Sequence, residues 1–156
     1  EKLFKMWYST LGLEDGESYE TWGGRVGYAT SEDGLSWKRQ EKPVFLTSES
    51  GWDSSWVSHT HVIKDPIKGY HLFYAGSNED IYGIGHAYSE DGKLWKRNPN
   101  NPLLKNDKGS WHSKIVGGPS VLIKDGNFEL WFFGSKKDNF AHVFFGCANL
   151  VCNVEE

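Results

Sequence analysis

Ala87-Tyr88-Ser89-Glu90-Asp91-Gly92-Lys93-Leu94-Trp95-Lys96-Arg97 restates an earlier stretch, Ala29-Thr30-Ser31-Glu32-Asp33-Gly34-Leu35-Ser36-Trp37-Lys38-Arg39. The copies begin at positions 29 and 87, a period of about 58 residues that suggests an array or a propeller. Each copy is a run of strand formers, a Ser-Glu-Asp-Gly turn and a Trp that opens a second strand. Asp-Gly between such runs is the strongest short-range hairpin signal. The Ser and Asp side chains can bond the turn's backbone, and Gly supplies a positive φ. The Trp is placed to cover apolar surface against a neighbouring sheet.

Working outward from the first copy, residues 3–9 and 25–30 read as strands joined by a long loop, and residues 37–40 as a third strand. Around the second copy, residues 57–63, 70–75, 84–88 and 94–97 read as four strands, and residues 98–104 match the earlier exit at 41–45. A third unit restarts the pattern. Gly109-Ser110-Trp111-His112-Ser113 echoes Gly51-Trp52-Asp53-Ser54, residues 119–126 are set against 59–66, and residues 128–134 against 70–76. Residues 143–148 form its last strand. The units are thus 1–45 without an inner strand, 46–104 complete, and 105–156 without an outer strand. Helical periodicity appears over no useful length. The expectation is an all-β chain of β-propeller blades, each a four-stranded antiparallel sheet, with about two and a half to three blades present.

Composition agrees with that class. Eight Trp, seven Tyr and nine Phe with 18 Gly and one Met describe a turn-rich β protein. A net charge of −4 disfavours a nucleic-acid or anionic-membrane partner. No run of about 18 apolar residues suggests a membrane span. The chain opens at Glu1-Lys2 without an initiator Met or signal peptide, as a processed or excised chain would. Cys147 and Cys152 read either as two thiols or as a local disulfide, which would require an oxidising compartment. Metal-ligand spacings, phosphate-binding loops and nucleophile elbows are not visible, so neither a metal nor a cofactor is expected.

Met6-Trp7-Tyr8, the stretch from Gly27 to Trp37, and Pro119-Ser120-Val121-Leu122-Ile123-Lys124-Asp125-Gly126 resemble the five-bladed β-propeller glycosidase superfamily. That group includes arabinanases, β-xylosidases, invertase-like enzymes and mannoside phosphorylases. The Ser-x-Asp-Gly-x-Ser-Trp order is also similar to the Asp-box turn of six-bladed sialidases, at a spacing one residue short. The resemblance implies a carbohydrate ligand and a glycoside hydrolase-like protein acting on or binding oligosaccharides. The alternatives are a non-catalytic glycan-binding or assembly module, or a fragment of a longer propeller enzyme. The family's acids sit near the start of each innermost strand. The matching segments here are Val57-Ser58-His59-Thr60 and Val116-Gly117-Gly118-Pro119, so the glutamate of the family's Glu-Gly-Pro pattern is a glycine. Whether the chain is an enzyme is therefore open at this level. Fewer than three blades imply either copies that complete one another as a homo-oligomer or a parent chain. Family habit suggests a secreted or periplasmic location.

Blade topology gathers the connections between units on one face. Sugars stack their C–H faces on aromatic rings and need paired donors and acceptors. The catalytic candidates on that face are Asp53, Glu20 and Glu79. The substrate-binding candidates are Trp22, Arg25, Trp56, His59, His61 and His112. Asp53 lies closest to an inner-strand start, where a loop cap is the competing reading. His59 and His61, two apart on a strand, are expected to face the same side. Trp52 and Trp111 occupy equivalent places and read as repeated plugs between blades. Asp65 and Asp125 read as turn residues.

Overall fold

The computed structural model describes residues 3–10, 24–137 and 142–150. Among these residues there is no helix, and eleven strands form three antiparallel sheets. The first sheet has the order β1 (Phe4–Thr10), β2 (Arg25–Ser31), β3 (Lys38–Arg39). The second contains β4 (Trp56–Asp65), β5 (Gly69–Ser77), β6 (Tyr82–Ser89) and β7 (Lys96–Arg97), with β8 (Leu104–Lys105) also on β6. The third is β9 (Ile115–Lys124), β10 (Asn127–Ser135) and β11 (Phe144–Leu150). These are propeller blades.

The strand β8 was not expected from sequence. It pairs Gly83 and Ile84 of β6, while β7 pairs Ala87 and Tyr88 of the same strand. His86 lies between the two pairings. The Asn101 side chain takes its backbone there, accepting from His86 N at 2.9 Å and donating to His86 O at 2.9 Å. An amide side chain thus substitutes for a missing ladder partner.

Both Ser-Glu-Asp-Gly turns fold alike. Gly34 N donates to Ser31 Oγ at 2.8 Å, and the Leu35 and Ser36 amides donate to Asp33 Oδ1 at 2.8 and 2.7 Å. In the second copy Gly92 N donates to Ser89 Oγ at 2.8 Å, and Lys93 and Leu94 donate to Asp91 Oδ1 at 2.8 and 2.9 Å. The glycines take φ of 77° and 79°, a region costly for other residues. Backbone amides hold the Asp33 and Asp91 carboxyls below their ordinary range. Asp65 caps the β4–β5 turn the same way, accepting from Ile67 N at 2.7 Å and Lys68 N at 2.9 Å.

The blades stack through aromatic side chains. Trp7 of β1 crosses to the second blade, lies 5.4 Å from the Tyr70 ring and 6.4 Å from Trp95, and donates to the Gly92 carbonyl at 2.7 Å. Phe73 of β5 meets Phe128 of β10 at 5.1 Å, within a core that includes Ile84, Val116, Val121, Leu130 and Phe132. Trp52 stacks on Tyr74 at 5.7 Å and Trp111 on Phe132 at 5.5 Å, as repeated plugs would. Cys147 is an exposed free thiol. Cys152 lies outside the described residues.

Two histidines are sealed between the second and third blades. His71 and His86 stack at 5.2 Å, with His71 Nδ1 3.0 Å from His86 Nε2 and the Phe128 ring 4.9 Å from His71. His71 Nε2 is buried without a partner. Burial lowers both imidazoles, His86 to about 4, with the neighbouring His71 as its second cause. The folded state therefore holds them neutral, whereas the unfolded chain protonates them below the ordinary 6.5. Their contribution to stability is complete above pH 6.5 and is lost as the pH falls through the folded-state pKa values. His86 alone contributes a loss of about 3 kcal/mol across that window. Chemical denaturation of His86→Gln between pH 7 and 4 should show one proton less of pH dependence than the parent; an unchanged slope would refute the assignment.

Candidate functional site

The first strands of the second and third blades, β4 and β9, each carry one extra residue near their start. In β4 the pairing jumps from Ser58–Ala75 to His61–Phe73, and in β9 from Gly117–Phe133 to Ser120–Trp131. Each is a β-bulge, which bends a strand and re-aims its side chains. Register places Gly118 against His59, one residue off the sequence alignment that set Pro119 there. Both positions are left-handed, with φ of 58° at Gly118 and 45° at His59. Glycine adopts this without strain, while a histidine there costs about 1–2 kcal/mol. The neighbours explain why each residue fits. A Cβ on Gly118 would overlap the Phe133 ring, but the residue matching Phe133 in the second blade is Ala75, which leaves room for an imidazole.

His59 is exposed and sits among rings. Trp56 lies 5.7 Å away and Phe133 of the third blade 5.9 Å away, both edge-on. The buried Ser58 hydroxyl lies 2.6 Å from His59 Nδ1. Desolvation holds the His59 imidazole below its ordinary pKa, so the ring is neutral near pH 7. In the tautomer whose Nδ1 accepts from Ser58, Nε2 carries the proton. Trp56, His59, Phe133, Tyr82 and Gly117 line one small hollow between the second and third blades. Tyr82 also lines a wider cleft of about 440 Å³ with Glu79, Asp80, Asn106, Lys108 and Ser113. Asn106 fixes the rim by accepting from Tyr82 N at 3.1 Å and donating to Asp80 O at 3.3 Å. Aromatic walls therefore meet a rim of carboxylates, an amide and ammonium groups.

Trp56 and His59 line the hollow and Glu79 lines the cleft, with Tyr82 on both. Arg25 opens β2, and its neighbour Gly24 packs so closely on Val57 and Trp56 that a Cβ would overlap the Val57 carbonyl. His61 reaches the third blade lower down, at the Val121 backbone, and its pKa is lowered mainly by burial. His112 lies under the third blade's plug, 5.0 Å from Trp111 and 6.0 Å from Phe132, with Nδ1 buried and unpartnered. Glu20 and Trp22 lie outside the described residues. Among the described residues no group of three or more His, Cys, Asp or Glu side chains could hold a metal ion.

Asp53 is placed differently from a catalytic acid. It is 1% exposed, and its carboxylate accepts from Tyr74 Oη at 2.9 Å, from Arg97 Nε at 2.9 Å, and from Ser48 Oγ. Arg97 also covers the Phe45 ring at 4.2 Å and donates to the Leu46 carbonyl. Burial, then the Asp53 charge, raises the Tyr74 phenol above its ordinary pKa, which keeps it a donor. The acid joins the exit from the first blade to the core of the second. Tyr82, Asn106 and Phe133 are the mouth residues that sequence reasoning missed. Phe133 had as its signal only its repeat position, which the alignment of 128–134 with 70–76 sets against Ala75.

No family model matches the chain. It is 29% identical over 148 residues to the uncharacterized protein Rv1502 of Mycobacterium tuberculosis, covering 94% of this chain and 46% of that protein. It is 26% identical over 133 residues to a 1,2-β-oligomannan phosphorylase of Thermoanaerobacter sp., covering 83% and 44%. The chain thus spans about half the length of the curated relatives it matches. Among solved structures it superposes on a family 117 glycoside hydrolase of Zobellia galactanivorans with a TM-score of 0.70 at 19% identity, covering 95% of this chain and 48% of that one. A structure from the GH130 family of mannoside phosphorylases, with glycoside hydrolases that target β-1,2 mannosidic linkages in Candida mannan, matches with a TM-score of 0.59 at 21% identity, covering 86% and 40%. The chain therefore carries, as a run of three blades, the all-β fold of the five-bladed β-propeller glycoside hydrolases.

Proposed function

We propose that this chain binds oligosaccharides at the mouth between its second and third blades, as part of a glycan-acting propeller. The observation that carries this is His59. The chain accepts left-handed strain there to hold an imidazole, where the sister blade uses glycine. Strain of this kind gathers at ligand sites. A neutral ring with its proton on Nε2 can donate to a sugar hydroxyl, while Trp56, Tyr82 and Phe133 offer faces for its C–H bonds. Glu79, Asp80, Asn106 and Lys108 supply further donors and acceptors at the rim.

Two likenesses support a first choice of sugar. One relative is named for β-1,2-oligomannan and one solved neighbour for β-1,2 mannosidic linkages, so β-1,2-linked mannooligosaccharides are the first ligands to test. Hydrolysis requires two carboxylates at a defined separation. Asp53 is committed to the core, so an enzyme would draw on Glu79 and on Glu20, which the sequence offered as a candidate. Calorimetric titration should give saturable heats with the mannooligosaccharides, and incubation with and without inorganic phosphate tests turnover. Heats with no turnover favour the binding module. Flat heats at high protein concentration remove the glycan reading. Association of copies to complete the ring is a further part of the proposal.

A further inference from the structure

The hollow and the cleft that share Tyr82 differ in size and in chemistry. The cleft, of about 440 Å³, is edged by carboxylates, an amide and ammonium groups. The hollow has a volume of only about 10 Å³, and the surface it presents is carbon throughout. It exists because small residues meet where the second and third blades face each other. Ala75 and Gly76 of β5 and Gly117 of β9 carry one side-chain carbon between them. The buried Ile115 and Val116 and the Phe133 ring close it on the third-blade side.

The two spaces adjoin. Ser113 and Lys114 line the cleft, and the next residue, Ile115, lines the hollow. Tyr82, 37% exposed, lines both, and Asn106 grips its backbone from two directions. Tyr82 N donates to Asn106 Oδ1 at 3.1 Å, and Asn106 N donates to Tyr82 O at 2.8 Å. Polar atoms of the ring walls are engaged elsewhere. Trp56 Nε1 lies beside Gly24, 2.9 Å from where a Cβ there would stand, and His59 Nδ1 faces the Ser58 hydroxyl. A space of this volume admits one water or one methyl group, and a buried water needs two to four polar partners. Carbon walls supply none, so the hollow suits a methyl.

We propose that the hollow is a specificity pocket for the C6 methyl of a 6-deoxyhexose whose ring lies in the cleft against Tyr82. The inference rests on the glycan reading above and narrows its sugar class. A hexose with a C6 hydroxymethyl group would push one more oxygen into a space that has neither the room nor a partner for it. A hydroxyl buried without a hydrogen bond is costly. Apolar pockets separate ligands that differ by one such group by about tenfold to a hundredfold. Both walls belong to consecutive blades of this chain.

Calorimetric titration of the full chain should compare β-1,2-linked mannobiose with the same disaccharide carrying a C6 methyl on each ring. The 6-deoxy form should bind at least about tenfold more tightly. Gly117→Ala fills the hollow, because a Cβ there lies 3.2 Å from Phe133 Cζ and 3.5 Å from Ala75 Cβ. Its backbone is not left-handed, and a small shift of the Phe133 ring admits the methyl, so the melting temperature should hold. The preference for the 6-deoxy sugar should disappear in that variant. Ala75→Ser is the second variant: its hydroxyl offers the C6 oxygen a partner, and the preference should shrink. Saturable binding with equal affinity for the two sugars overturns the pocket and leaves the glycan reading in place. A folded Gly117→Ala protein that keeps the preference overturns the pocket as well. Flat heats with both sugars overturn the glycan reading, and this inference with it.

Discussion

Replacing Arg97 with Ala should destabilise the protein by about 3 kcal/mol, because it leaves the Asp53 carboxylate buried without its counter-ion. The pair closes at 2.9 Å with the Asp53 side chain 2% and that of Arg97 33% exposed. Two donors would remain on the acid, Tyr74 Oη and Ser48 Oγ, but neither supplies charge. Asp53→Asn should cost less, since the amide keeps one acceptor for Tyr74 or Arg97 and carries no charge to desolvate. Urea unfolding of the two single variants and of Asp53→Asn/Arg97→Met tests this as a cycle. The double variant should recover part of the Arg97 loss. A loss below about 0.5 kcal/mol for Arg97→Ala would place the pair among ordinary surface ion pairs. Full stability of Asp53→Ala with loss of turnover would restore Asp53 as a catalytic acid.

The second large effect concerns ligand binding. His59→Gly should weaken glycan affinity by about thirtyfold, near 2 kcal/mol, by removing the donor and the ring from the mouth. The same substitution should leave the melting temperature unchanged or raise it by a few degrees. It relieves a left-handed φ worth about 1–2 kcal/mol and adds back about 0.5–1 kcal/mol of chain entropy. His59→Ala keeps the strain and loses the ring, so it should be less stable than His59→Gly and equally weak in binding. A purely structural His59 predicts the opposite order, with His59→Gly the least stable of the three proteins.

The blade pattern was legible in sequence because its determinants are local. Each Ser-Glu-Asp-Gly turn is closed by bonds spanning two or three residues, and two copies set the period. Strand alternation and the plug tryptophans follow from the same repeat. The site was legible only in part. Trp56, His59 and Glu79 were expected on the loop face and line the mouth. Asp53 was expected there too, because proximity to an inner strand does not reveal which way a side chain turns. The β4–β5 turn has three residues, 66–68, and the β9–β10 turn two, 125–126, so matching the turn aspartates sets the two strands one residue out of register.

The sequence by itself determined the strands other than β8, the turns and the order of the blades, since each rests on residue type and short spacing. Tertiary structure decided what those blades hold between them. Arg97 meets Asp53 across 44 positions, and Trp7 reaches Gly92 across 85. Contacts at such separations depend on how twisted sheets stack, and stacking depends on side-chain volumes from several strands at once. The same holds for His59. Its left-handed backbone has room only because Ala75, rather than a second phenylalanine, stands opposite the bulge.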